Sequence, residues 1–468
     1  MSTTDLRAAG TTSSGAVSES TTNACRMCMP LGASLAFSGV EGTVPFLHGS
    51  QGCATYIRRY LISHFREPMD IASSSVGEDA TVFGGESNLR QGIVNVTTVY
   101  KPKVIGVATT CLTETIGEDV GSMLRRAVDP DTGLAREFSV EPPILVHAPT
   151  PSYAGTHADG YQAAVASTVA TIATEGETTD SITLLPGIVS PADIRHLREI
   201  TDGFGLPTTI MPDYSERLDG VTVARYKKLP PGGTPVDQIR ATGHARASVT
   251  IGGLTTPGVT IAGEVLAARF GVPHHQVPFP IGIRLTDAFC DLLTELSGNP
   301  MPEWLLAERG RLVDAYIDGH KYVAEKKAAV VGDEDLVVGL SAFLAEIGVT
   351  PVVIASGGRS GKLAERITAC APELEGRVEI MDDADFTMIQ KAAEQAGIDF
   401  MVGNSKGYRT TRDLGVPLVR VGMPIHDRMG AQRVGHLGFR GTQELFDRIA
   451  NALLEKQQNE SPLAYSYM

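Results

Sequence analysis

Short apolar runs recur along the chain and alternate with amphipathic stretches. In the N-terminal third, Thr43-Val44-Pro45-Phe46-Leu47, the segment 104–108 and Pro143-Ile144-Leu145-Val146 read as strands. The run 104–108 is apolar throughout, as a buried parallel strand is. Further on, Ile182-Thr183-Leu184-Leu185 is a strand closed by a Pro-Gly turn, and 249–253 and 275–278 are strand candidates. Pro191-Ala192-Asp193-Ile194 has the chemistry of a helix N-terminal turn. Pro143–146 leads into a Pro- and Gly-punctuated loop, and 229–234 reads as a surface loop. In the last third, 328–332, 351–355 and 399–403 alternate with helical stretches, a βαβ rhythm that predicts a parallel sheet. The class is α/β, in three units at 25–178, 179–325 and 326–455. Residues 1–24, rich in Ser, Thr, Ala and Gly, predict a disordered arm. Residues 456–468 form a tail carrying Tyr465 and Tyr467.

Composition narrows the function. A length of 468 residues suits three domains of about 150 each. The net charge of −14 argues against nucleic acid as a partner. No apolar run approaches the roughly 18 residues of a membrane span. The N-terminus has no basic-then-apolar export signal. Six scattered cysteines are not a disulfide framework. These features predict a cytoplasmic protein whose thiols stay reduced and available to metal.

Three cysteines carry the candidate chemistry. Cys53 ends His48-Gly49-Ser50-Gln51-Gly52-Cys53, between a strand and a helical pattern. Cys111 follows the strand 104–108, and Cys28 precedes Met29-Pro30-Leu31-Gly32-Ala33. A lone free cysteine reads most readily as a core residue. Three at strand ends or helix starts can instead converge in the crevice beyond the carboxyl ends of a parallel sheet. A helix N-terminus is also expected to lower the Cys53 thiol pKa. Three thiolates are one short of the four that hold a cubane iron–sulfur cluster. Either a fourth comes from this chain, with Cys25 of the Cys25-x-x-Cys28 pair the local candidate, or a partner supplies more, or there is no cluster. Cys290 and Cys370 lie in helical patterns and read as core. Gly358-Arg359-Ser360-Gly361-Lys362-Leu363 is not a phosphate loop, because its glycine spacing fails and Leu363 stands where Ser or Thr would meet magnesium. His274-His275 lacks zinc-ligand spacing and reads as a loop.

Taken in order, Cys28-Met-Pro-Leu-Gly-Ala, His48-Gly-Ser-Gln-Gly-Cys53, His64-Phe-Arg-Glu-Pro68, Val82-Phe-Gly-Gly85 and Thr109-Thr-Cys111 resemble the β-type subunit of nitrogenase component 1. Glu308-Arg-Gly-Arg-Leu-Val-Asp314, Gly403-Asn-Ser-Lys-Gly407 and Val419-Arg-Val-Gly-Met-Pro424 extend the resemblance to nearly the whole chain. It implies three Rossmann-like domains with helices flanking parallel sheets. It implies that Cys28, Cys53 and Cys111, with three cysteines of an α-type partner, hold an [8Fe–7S] P-cluster, or else a [4Fe–4S] cluster, at the interface of an α2β2 heterotetramer. Cys25 is then extra. The family's serine that can ligate iron on oxidation falls on Thr156, with Ser50 and Tyr56 beside the cluster. Phe83 marks the docking surface of an ATP-dependent iron protein. Glu67 and Asp287 match a cation site between β-type subunits, but Arg284 replaces one of its acids and predicts a surface salt bridge instead. The chain itself would carry no catalytic residue. It would relay electrons to a metallocofactor in the partner of a nitrogenase-like reductase, such as a methylthio-alkane reductase, for methylthio-alkane C–S cleavage or dinitrogen reduction. The alternative within the family is the N-type scaffold for cofactor maturation.

Overall fold

The computed structural model describes residues 25–225 and 227–462. The arm expected at 1–24 and the end of the tail, with Tyr465 and Tyr467, lie outside them. Thirteen strands among the described residues form three sheets. The first contains β1 (Thr43–His48), β2 (Ala72–Ser73), β3 (Val104–Thr109) and β4 (Ile144–Ala148), in the order β2-β1-β3-β4. The second contains β5 (Thr179–Leu185), β6 (Thr208–Ile210), β7 (Ala245–Ile251) and β8 (His274–Val277), in the order β6-β5-β7-β8. The third contains β9 (Lys327–Gly332), β10 (Thr350–Ser356), β11 (Glu379–Met381), β12 (Phe400–Gly403) and β13 (Leu418–Arg420), in the order β11-β10-β9-β12-β13. Every named pairing is parallel. β1 and β3 are buried along their whole length, because helices cover both faces of such a sheet.

The expected α/β class with parallel sheets is what forms. The edge strands β2, β6, β11 and β13 have only two or three residues each, too short for an apolar run to announce them. His274 and His275 open β8 rather than a loop, and His274 Nε2 lies 3.0 Å from Thr250 Oγ1. The last helix, Gly438–Glu460, runs on past residue 456, where the sequence pattern begins a tail.

Two features fix the first unit. The helix Met29–Ser38 packs against the helix His157–Ile172 at backbone contact. A β-carbon on Gly32 would stand 1.7 Å from the His157 carbonyl oxygen, and one on Gly160 would stand 1.9 Å from the Met29 carbonyl oxygen. The second feature is a buried acidic junction where all three units meet. Asp159 accepts from the Thr256 amide at 2.7 Å. Asp335 accepts from the amides of Gly253 and Leu254 at 2.8 and 3.0 Å, and Glu334 accepts from the Ser360 hydroxyl at 2.7 Å. Burial pushes the carboxyls of Glu334 and Asp335 up to about 7.

Two outcomes follow. Gly160→Ala forces backbone apart from backbone, so it should cost about 1–3 kcal/mol, toward the upper end, in denaturant unfolding. A carboxyl whose folded pKa is raised binds its proton more tightly folded than unfolded, so its stability contribution is complete below its ordinary pKa and is lost as pH rises through about 7. Glu334→Gln should therefore raise the thermal midpoint relative to the parent at pH 8, with the gain fading toward pH 4.5.

Candidate functional site

The three cysteines singled out by sequence come together. Cys28 is the N-cap of the helix Met29–Ser38, Cys53 is the third residue of the helix Gln51–Phe65, and Cys111 is the first residue of the helix Cys111–Thr115. The last two helices follow the carboxyl ends of neighbouring strands β1 and β3. Their proximity depends on Gly49, whose φ is 151°. A β-carbon there would stand 1.9 Å from Thr110 Oγ1, so only glycine lets the Cys53 turn lie against the residue before Cys111. The turn is braced from behind. Thr113 Oγ1 donates to the His48 carbonyl at 3.0 Å, and the His48 ring contacts Ser74 Oγ at 2.9 Å and Glu118 Oε2 at 2.7 Å. Glu118 also accepts from the Gly85 amide.

All three cysteines line one cavity of about 430 Å3, walled by Met27, Leu31, Ile57, Tyr56 and Tyr60 among others. Cys28 and Cys111 are exposed and Cys53 is half-buried. Among the described residues, no three His, Cys, Asp or Glu side chains converge as ligands of a single metal ion. The helix N-terminus does not lower the Cys53 pKa as expected. Burial raises it, and the neighbouring Cys28 and Cys111 raise it further, while a backbone hydrogen bond opposes them only in part.

The other residues divide. Tyr56 is 65% exposed and faces the cavity, so it is not a core aromatic. Ser50 instead caps its helix, accepting from the Gly52 amide at 3.3 Å. Thr156 does not reach the cavity either. It is buried as the N-cap of the helix His157–Ile172, with its hydroxyl donating to Asp159 Oδ2 at 3.0 Å. The cavity residue of that loop is Ser152, whose buried hydroxyl has no hydrogen-bond partner. The sequence reading did not single out Ser152, four positions before Thr156. The cap signature of Thr156 followed three residues later by Asp159 could have separated the two.

Cys25 lies apart, packed with Ala329, Val331 and Ala355 of the third sheet, and burial pushes its thiol up to about 12. Cys290 is buried and Cys370 half-buried. Phe83 is 87% exposed at the end of the helix Glu78–Phe83, so it does not pack under the Gly84-Gly85 turn. Arg284 pairs with Glu373 at 2.7 Å and Asp287 with Arg309 at 2.8 Å, while Glu67 lines a separate cavity beside Asp70 and Arg217. The loop at Gly358 holds a carboxylate of its own chain, since a β-carbon there would meet Glu334 at 2.5 Å. Among the described residues, no helix is long and apolar enough to cross a membrane.

Comparison with known proteins agrees with this arrangement. The model of the nitrogenase component 1 type oxidoreductase family matches residues 28–454. A nitrogenase molybdenum-iron protein beta chain from Methanothermobacter thermautotrophicus is 37% identical over 438 residues, covering 92% of this chain and 93% of that one. The beta chain from Clostridium pasteurianum is 33% identical over 441 residues, 94% of each. A solved structure of nitrogenase Cp1 at pH 6.5 superposes with a TM-score of 0.89 at 31% identity, covering 96% of this chain and 97% of that one. A second chain, from nitrogenase Cp1 at pH 5, has a TM-score of 0.67 at 16% identity and shares the fold alone. The chain belongs to the nitrogenase component 1 family of oxidoreductases, as a subunit of the beta-chain type.

Proposed function

We propose that this chain supplies half of an interfacial iron–sulfur site and relays electrons through it. The observation that carries the reading is the convergence of Cys28, Cys53 and Cys111 on one open, largely apolar cavity, with two of the thiols exposed. An exposed, incomplete thiolate set beside exposed aromatic surface suits completion by a second subunit. The residues fit such a group. The three sulfurs are the right donors, and the orphaned Ser152 hydroxyl faces the same space. A bound cluster of the P-cluster type would take up and give back single electrons.

The chain's own residues would do the rest. Cys28, Cys53 and Cys111 bind iron as thiolates, and metal binding supplies the free energy that offsets the raised Cys53 pKa. Ser152 offers an oxygen ligand or a hydrogen bond, the role that sequence reading gave to Thr156. Tyr56 and Tyr60 help exclude water and meet the α-type partner. Phe83 offers a docking contact to the ATP-dependent iron protein, the source of each electron. Substrate reduction takes place in the partner of an α2β2 assembly. Retention of all three thiols on one cavity favours relay over a maturation scaffold.

The test is a set of variants in the assembled complex. Cys53→Ala should lose most of the cluster's iron and its paramagnetic signal, with turnover near background. Cys25→Ala should keep all three, and the reverse pattern would sink the assignment. Ser152→Ala should change the signal of the oxidised cluster while leaving iron content intact. Thr156→Ala should instead lower stability by about 1 kcal/mol, as loss of a helix cap does, and leave the signal alone.

A further inference from the structure

The helix Glu78–Phe83 carries the exposed Phe83 and buries none of its six residues. An element with no side chain in the core is held by its ends, and both ends lead to the cysteine turn. At the first end, the Val76 amide donates to the Gly49 carbonyl at 2.9 Å and the Ser74 amide to the Leu47 carbonyl at 3.0 Å. At the second, Gly84 has a φ of 95°, which glycine adopts without strain, and the Gly85 amide donates to Glu118 Oε1. The other oxygen of that carboxylate, Oε2, lies 2.7 Å from His48 Nε2. The Glu118 side chain is 5% exposed and that of His48 is fully buried. On its far side the His48 ring meets Ser74 Oγ at 2.9 Å, which also accepts from the Gly49 amide at 2.9 Å. The His48 carbonyl accepts from the Thr110 amide at 3.1 Å and from Thr113 Oγ1 at 3.0 Å. Glu118 therefore bridges the segment after Phe83 to the residue where the Cys53 turn and the start of the Cys111 helix are tied together. The junction is close-packed as well as bonded, since a β-carbon on Gly85 would stand 3.0 Å from Glu118 Oε1 and 3.1 Å from His48 Cε1.

We infer that Glu118 is a positioning residue that couples the docking segment at Phe83 to the cysteine turn, so that docking of the iron protein adjusts the starts of the Cys53 and Cys111 helices before the electron moves. The inference rests on the proposed function above. The hydrogen-bond partners of Glu118 are a backbone amide and a ring nitrogen, not a thiol, so it acts through other groups. One oxygen holds the segment that a docked protein presses upon, and the other holds the ring that braces the turn. Docking shifts such a bridge only by as much as it favours one arrangement of the bridge over the other. A residue that merely buttressed the turn would act on the cluster equally with and without a docked partner.

The experiment measures electron transfer from the iron protein to the assembled complex by rapid mixing, for the parent, Phe83→Ala, Glu118→Ala and the double variant. Iron content and the paramagnetic signal check the cluster in each. Varying the iron protein separates the half-saturating concentration from the rate constant at saturation. Glu118→Ala should keep the parent's iron and half-saturation and lower the rate constant by roughly 3- to 30-fold, the range over which residues of a coupling network act. Phe83→Ala should raise the half-saturating concentration in both backgrounds but lower the rate constant only where Glu118 is present. An equal loss of rate from Phe83→Ala in both backgrounds marks independent sites and overturns the inference, as does a parent-like rate in Glu118→Ala. The parent gives a second reading without any variant. Docking should change amide exchange at 48–53 as well as at 78–85, and a change confined to 78–85 overturns the inference even where Glu118→Ala fails to hold iron. A parent complex that takes no electron from the iron protein overturns the proposed function instead.

Discussion

Close approach at three glycines governs where the thiols stand. Gly49 admits Thr110 against the Cys53 turn, and Gly32 with Gly160 admits one helix against another beside Cys28. Each contact leaves no room for a β-carbon, so the segments bearing Cys28 and Cys53 are held at close range. The parallel sheet does the rest. It sets β1 beside β3 in register, Leu47 opposite Ala108 and His48 opposite Thr109, so that the helices bearing Cys53 and Cys111 start side by side. A donor set held this way is pre-organised for a rigid group larger than one ion.

That arrangement creates an electrostatic problem. Burial raises the Cys53 pKa, and the neighbouring thiols of Cys28 and Cys111 raise it further, so the three resist joint ionisation. The chain carries a net charge of −14, so it adds no general positive field. Relief has to be local, and iron on the thiolates would supply it. The same reasoning separates Cys25 from the set. It is only three residues from Cys28, yet it is sealed among apolar side chains of another sheet, where a thiolate is strongly disfavoured.

Much of this was legible in the sequence. Apolar runs marked the central strands because buried parallel strands need apolar residues on both faces. The placement of Cys28, Cys53 and Cys111 at helix starts followed from the glycines and strands around them. What was not legible depended on three-dimensional neighbours. The edge strands draw their pairing from the sheet and not from their own two or three residues. The pKa of Cys53 is set by burial and by two thiols distant in sequence, which outweigh the local helix end. The loop 151–157 offers two aliphatic hydroxyls, and only the capping bond to Asp159 removes Thr156 and leaves Ser152 facing the cavity. Lys406 lies in the stretch Gly403-Asn-Ser-Lys-Gly407 that carries part of the resemblance, but nothing in that stretch places it at a cavity whose Cys111 is more than 290 residues away in the chain.

The most direct test of the central claim is anomalous diffraction at the iron edge from crystals of the chain with its α-type partner. The account predicts several iron atoms in the cavity at the subunit interface, bonded to the sulfurs of Cys28, Cys53 and Cys111, with none at Cys25. A single tetrahedral ion, or iron bound at Cys25 with the three cavity thiols free, would contradict it.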